Sequence, residues 1–138
     1  MNRSLFSSKK KTWQTPKKLY ADLHAEFNFD CDPCFLVGES IHAKDMLGSS
    51  WGSRCFVNPP YGPKLTGQWV KKAREESLKG KLIVLLLPSR TDTKWFHEIL
   101  IEGGAEIRFI KGRLYFDDGM GPAPFPSLIA IFNGGLKP

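Results

Sequence analysis

Two consecutive prolines, Pro59 and Pro60, follow the apolar run Cys55-Phe56-Val57. Neither can donate a backbone hydrogen bond, so a strand entering from Cys55 has to stop there. The outcome is a stiff turn at a strand end, with the Asn58 carboxamide before the prolines and the Tyr61 ring after Pro60. An asparagine oxygen and the carbonyl of Pro59 can together accept both hydrogens of an exocyclic amine. A tyrosine ring can stack on the flat base that carries the amine. Asn58-Pro59-Pro60-Tyr61 therefore suits amino-group chemistry on a nucleobase, although an isolated tetrapeptide of this kind also serves as plain turn punctuation.

The 138 residues fit one compact domain with a modest core. Residues 1–12 read as a flexible basic arm and 13–138 as a single domain without a separate target-recognition domain. The arm lacks the apolar stretch of a signal peptide. No apolar run approaches the roughly 20 residues of a membrane span. The net charge of +6 comes from clusters such as Lys9-Lys10-Lys11, Lys71-Lys72 and Arg108, Lys111 and Arg113. Such a balance suits a polyanionic partner. Cys31, Cys34 and Cys55 are an odd set, the pattern of reduced thiols in a cytoplasm. Cys31-Asp32-Pro33-Cys34 is formally a C-x-x-C motif, but no convincing helix start follows it. No second closely spaced Cys/His pair exists to complete a zinc site, so no metal is expected.

Along the chain, Thr15 and Pro16 read as cap and first turn of a helix lined by Leu19, Leu23, Phe27 and Tyr20. Phe27 to Cys31 reads as a short strand ending at Asp32-Pro33. Residues 41 to 47 hold a short strand or a helical turn. Arg54 to Val57 is the strand feeding Asn58. Thr66 to Leu78 is a helix that Gly80 ends. Leu82 to Leu87 is continuously apolar, as in a strand covered on both faces. Thr91 or Asp92 caps a further helix, which Gly103-Gly104 stops. Ala105 to Ile110, Arg113 to Phe116 and Leu128 to Phe132 read as strands, the last two joined by a long Gly/Pro loop. The expected fold is α/β, with a mostly parallel sheet and an antiparallel hairpin at one edge. Ligands of such sheets bind at the carboxyl ends of strands, where Asp32, Asn58 and Pro88 all fall.

With these positions placed, the chain resembles the phage-type DNA adenine-N6 methyltransferases, the small Dam-like family. The resemblance runs from Trp13 to Phe132 and is carried by Trp13-Gln14-Thr15-Pro16, Asp32-Pro33-Cys34, the stretch from Trp51 to Gly62, the stretch from Leu86 to His97, Lys111-Gly112-Arg113-Leu114, and Ala123-Pro124-Phe125-Pro126-Ser127. It implies a compact Rossmann-like methyltransferase fold, S-adenosylmethionine as methyl donor and adenine in double-stranded DNA as acceptor, in the cytoplasm of a bacterial host. It makes Asn58, Pro59, Pro60 and Tyr61 the catalytic turn. Thr15, Pro16, Asp32 and Pro33 match donor-binding positions, and Asp45 resembles the acidic residue that recognises the donor's adenine. Phe116, with Tyr115 as its competitor, stands where related enzymes place a ring against the flipped base. The family's Gly-rich loop after the first strand is absent, with only Gly38 remaining.

Two kinds of alternative remain open from the residues. One is an amino-methyltransferase acting on cytosine N4, RNA or a protein glutamine. The other is a basic nucleic-acid-binding module with a degenerate donor pocket. Trp51, Trp69 and Trp95 read as core residues, His97 as a structurally satisfied histidine and Asp92 as a cap.

Overall fold

The computed structural model describes residues 13–34, 43–117 and 121–134. The basic arm, Lys9-Lys10-Lys11 included, and Gly38 lie outside them. The elements are α1 (Lys17–Phe27), α2 (Ala43–Gly48), β1 (Arg54–Val57), α3 (Leu65–Ser77), β2 (Leu82–Pro88), the π-helical α4 (Trp95–Ile101), β3 (Glu106–Phe109) and β4 (Ser127–Asn133).

β2 organises the sheet because all seven of its residues are buried. Alternation along a strand sends neighbours to opposite faces, so Leu82-Ile83-Val84-Leu85-Leu86-Leu87 feeds two half-cores. Ile83, Leu85 and Leu87 pack with Trp69, Val70, Trp95 and Leu100 from α3 and α4. Leu82, Val84 and Leu86 pack with Leu23 and Phe27 of α1, and with Phe56, Tyr61, Phe116 and Phe125. Trp51, Trp69 and Trp95 are all core residues, in keeping with their sequence context.

The four strands are ordered β1-β2-β4-β3. β1 pairs parallel to β2, while β4 pairs antiparallel to both β2 and β3. The sheet is therefore mixed, and two of its three pairings are antiparallel, which corrects the expectation of a mostly parallel sheet. The expected antiparallel pair does lie at one edge, but its outer strand is β3 and not residues 113–116. β4 lies inside the sheet, and residues 113–116 are loop. The physical reasons are local. Gly112 (φ 76°) and Asp117 (φ 54°) turn the backbone out of the extended region at either end of that segment. Ser127 through Phe132 are all buried and need a partner on each side, whereas β3 is largely exposed and suits an edge. Because β4 opposes both neighbours, β1, β2 and β3 still run in one direction and end on one rim.

A further strand is expected over Phe27 to Cys31. Instead α1 continues to Phe27 and closes on Asn28, which takes a left-handed conformation (φ 54°) and donates its N–H to His24 O at 2.8 Å. Only Cys31 reaches the sheet, in an isolated parallel bridge to Cys55. That bridge is enough to bring Asp32 to the same rim as Asn58. Before α4, Thr93 rather than Thr91 or Asp92 accepts a helix N–H, that of Phe96, at 3.2 Å. His97 Nε2 lies 2.6 Å from Thr91 O.

The opposite end of the sheet is pinned by Glu76, whose side chain is fully buried. Its carboxylate meets Lys72 at 3.3 Å, Lys79 at 2.5 Å and Lys81 at 2.6 Å, and accepts the Trp51 N–H at 2.7 Å. Burial alone would raise its pKa, but these hydrogen bonds win and hold it far below the usual carboxylate range. The network ties α3 to the residues that enter β1 and β2.

Candidate active site

β1 delivers Asn58 to the rim, and Pro59-Pro60 then ends the ladder. The turn is braced from α3. Thr66, buried in the first turn of that helix, accepts the Gly62 N–H at 3.0 Å and donates to Pro60 O at 3.4 Å. Tyr61 folds back over the sheet edge. Its hydroxyl lies 3.2 Å from Leu86 O and 3.3 Å from Asn58 Oδ1. Burial pushes the phenol well above its ordinary pKa, with the nearby Cys34 adding to the effect. Tyr61 is thus a neutral hydroxyl whose single hydrogen is shared between the two oxygens.

The orientation of the Asn58 amide follows from its partners. Nδ2 donates to the backbone carbonyl of Trp13 and, at 2.9 Å, to Thr15 Oγ1. A carbonyl can only accept, so the nitrogen must face Trp13 and the oxygen must face the other way. Both amide hydrogens are occupied and Oδ1 keeps accepting capacity. Among the described residues no backbone N–H donates to the Pro59 carbonyl.

This arrangement revises the local role of Thr15. The expected N-cap is absent, since no side chain caps α1 and Pro16 occupies the cap position. The hydroxyl serves Asn58 instead. Gln14 is held in turn by Asp117, with a 2.8 Å bond from Gln14 N–H to Oδ1 and a 3.0 Å bond from Asp117 N–H to Gln14 O. The segment before α1 is thereby fastened across the rim.

Beside the turn stands an aromatic group. Trp13 meets Phe125 at 5.3 Å and Phe116 at 5.5 Å, and Phe125 meets Tyr61 at 5.5 Å, all edge-on. Phe116 is fully buried, whereas Tyr115 is 54% exposed, so adjacent residues do face opposite ways. Trp13 and Phe125 escaped the site residues expected from sequence. The signal was their place within Trp13-Gln14-Thr15-Pro16 and between Pro124 and Pro126.

On the other side of β1, Asp32 is half-buried and its pKa is pushed up to about 6 by desolvation, against a backbone hydrogen bond from Cys34. No cation among the described residues offsets that burial. Pro33 is buried beside it. Cys31 pairs with Cys55, not Cys34. The hydrogen bond between their thiols lowers the pKa of Cys31 to about 7 and raises that of Cys55. Asp45 falls in α2, and its side chain lies outside the described residues.

Charge is divided along the rim. Asp32 sits beside β1, while Asp30 is bonded to Arg54 at the start of that strand. Arg90 and Lys94 follow β2, Lys111 and Arg113 follow β3, and all four are exposed. Ser89 N–H donates to Pro126 O (2.9 Å) and Ile110 N–H to Ser127 O (3.1 Å), so these basic segments flank the start of β4.

The α/β sheet thus ends in this turn, with Asp32 beside β1 and four exposed basic residues after β2 and β3. The family of DNA N-6-adenine-methyltransferases (Dam) matches residues 3–124, and the chain belongs to that family. A relative from Escherichia phage T1, a DNA N-6-adenine-methyltransferase, is 31% identical over 115 residues, covering 76% of this chain. The chain spans about half the length of that curated relative, 47%. No solved structure matches it. Among the described residues no helix is long and apolar enough to cross a membrane.

Proposed function

We propose that the protein transfers a methyl group from S-adenosylmethionine to the N6 amine of adenine in double-stranded DNA, on a Rossmann-like scaffold. The observation that carries this reading is the Asn58 amide, whose nitrogen is occupied by Trp13 O and Thr15 Oγ1 and whose oxygen is left to accept. Family membership supports adenine N6 over cytosine N4, RNA or protein glutamine.

The amine of adenine is a weak nucleophile because its lone pair is delocalised into the ring. Asn58 Oδ1 and the Pro59 carbonyl accept its two hydrogens and draw the nitrogen toward a tetrahedral shape. The lone pair then points out of the base plane, in line for transfer. Tyr61 fixes Oδ1 by its own hydrogen bond, and Pro60 keeps the turn rigid. The donor supplies a sulfonium methyl, an electrophile that needs no protein nucleophile. A bond forms from N6 to the methyl carbon as the sulfur–carbon bond breaks. The sulfur keeps that electron pair, and N6 sheds a proton to solvent.

The donor's ammonium fits Asp32, a desolvated carboxylate with no cation of its own among the described residues. Thr15, Pro16, Pro33 and Asp45 complete the donor-binding set. The base leaves the duplex to reach the turn, as chemistry on a paired base requires. Tyr61 stacks on it, and Phe116 backs the pocket wall, with Tyr115 the exposed ring of that pair. The basic segments after β2 and β3 hold the phosphates.

The test is incubation of unmethylated plasmid with the protein and methyl-labelled donor, followed by digestion to nucleosides. Label in N6-methyladenosine supports the reading. Label confined to N4-methylcytidine, or none in DNA, overturns it.

A further inference from the structure

We propose that Ser127 reads the target base, its hydroxyl donating a hydrogen bond to a ring nitrogen of the adenine held at Asn58–Tyr61. The inference rests on the function proposed above and adds a contact that distinguishes the base rather than activates it.

Ser127 opens β4 and is 1% exposed, yet its Oγ has no hydrogen-bond partner among the described residues. A buried hydroxyl without a partner is destabilising, so its place calls for a ligand. The register shows what it faces. Ser127 pairs with Pro88, and Ile129 pairs with Leu86. Side chains two apart share a face, so Ser127 lies on the side of Leu86 and Ile129, where Trp13, Tyr61, Phe116 and Phe125 are gathered. Leu86 O receives the Tyr61 hydroxyl, which also touches Asn58. Pro88 lies two residue steps beyond Leu86, about 7 Å along the strand. That span is comparable to the long axis of a purine. A base clamped by its amine at Asn58 would thus present its ring toward Ser127. The Ser89 hydroxyl, next after Pro88, is also buried and unpartnered among the described residues.

The chemistry is complementary. Beyond its amine, adenine offers only acceptors on its ring, at N1, N3 and N7. Asn58 Oδ1 and Pro59 O are acceptors and cannot bind them. A serine hydroxyl can rotate and donate. One donor at this position completes recognition of the base.

The experiment compares wild type, Ser127→Ala and Ser127→Cys on a duplex oligonucleotide carrying the methylated site mapped from plasmid. The target adenine is replaced in turn by 1-deaza-, 3-deaza- and 7-deazaadenine. Ser127→Ala is expected to melt no lower than wild type, since it removes an unsatisfied group. Its kcat/KM for DNA should fall roughly ten-fold, the value of one neutral hydrogen bond, with donor affinity unchanged. One deaza analogue should cost wild type a similar factor and cost the variant nothing. Ser127→Cys keeps the volume with a weak donor and should behave like Ser127→Ala. Full activity of both variants on natural DNA overturns the role of Ser127 alone. So does a variant that loses activity but stays sensitive to the same analogues as wild type. Wild type that forms no N6-methyladenine overturns the underlying function, and this proposal with it.

Discussion

The Thr15 hydroxyl accepts a hydrogen bond from Asn58 Nδ2 at 2.9 Å, joining residues 43 positions apart in the chain. One belongs to the segment before α1 and the other to the turn after β1. The bond ties the entry to α1 to the Asn58–Tyr61 turn and helps decide which way the amide oxygen points. Asn58→Ala should therefore nearly abolish methyl transfer, by on the order of 100-fold or more, while donor affinity changes little. Thr15→Val should lower turnover at saturating donor by roughly ten-fold, as expected when a positioning bond is removed, and Thr15→Ser should restore it. Single-turnover kinetics with labelled donor checks all three variants. Undiminished turnover in Asn58→Ala would remove that residue from the mechanism.

Asp32 predicts a pH dependence of donor binding. Its pKa in the folded protein is about 6, above the carboxyl value of 3.8, because burial disfavours the charged form. Tyr20, Cys31 and Cys34 surround it and supply no positive charge. The folded state thus holds the proton more tightly. Its contribution to stability is present below about pH 4 and is lost as pH rises through 6. Donor binding has the opposite sign, since pairing with an ammonium needs the ionised form. Affinity for S-adenosylmethionine should fall as pH drops from 7 to 5, and Asp32→Asn should bind weakly with little pH dependence. Titration calorimetry across that range would show the role to be wrong if wild type were pH-independent.

Glu76 is expected to matter for stability and not for chemistry, since it anchors the far end of the sheet. Glu76→Gln leaves three lysines around a neutral group, which should cost about 3 kcal/mol, less to the extent that Lys79 reaches water. Its pKa is held far down in the folded state. The stabilisation is therefore present above about pH 4.5 and declines as pH falls below it. Urea denaturation of wild type and variant at pH 7 and pH 4 measures both effects, and the difference between them should shrink at the lower pH.

The basic half of the rim predicts salt-dependent DNA binding. Replacing Arg90 and Lys111 with glutamate should weaken binding to duplex DNA. It should also flatten the log–log dependence on salt by at least about 0.9 for each phosphate that is no longer neutralised. The sequence that is methylated should not change, because phosphate contacts carry no sequence information directly. Fluorescence anisotropy at several salt concentrations, with mapping of the modified sites, separates the two effects. An unaltered slope would show that DNA docks elsewhere.

The chain by itself determined the elements whose causes are local. The uninterrupted apolar run from Leu82 to Leu87 had to be a strand covered on both faces. Pro59-Pro60 had to end the strand before it, and Gly80 and Gly104, both at positive φ, had to close the helices they follow. The placement of Asn58 and Pro88 at strand ends was legible for the same reason, whereas the strand expected before Asp32 shrinks to a single bridge at Cys31. Tertiary structure decided what depends on partners distant in sequence. Thr15 looks like a helix cap until Asn58 is folded against it. Residues 113–116 alternate like a strand, yet β4 takes β3 as its second neighbour, leaving that segment to the loop. Phe116 and Tyr115 are equivalent in the sequence, and only packing against Trp13 and Phe125 buries the first and exposes the second. Local rules act through a residue's own backbone freedom and its neighbours three or four positions away. The direction of an amide, the choice of an edge strand and the burial of one ring among two are settled by which long-range contacts form together.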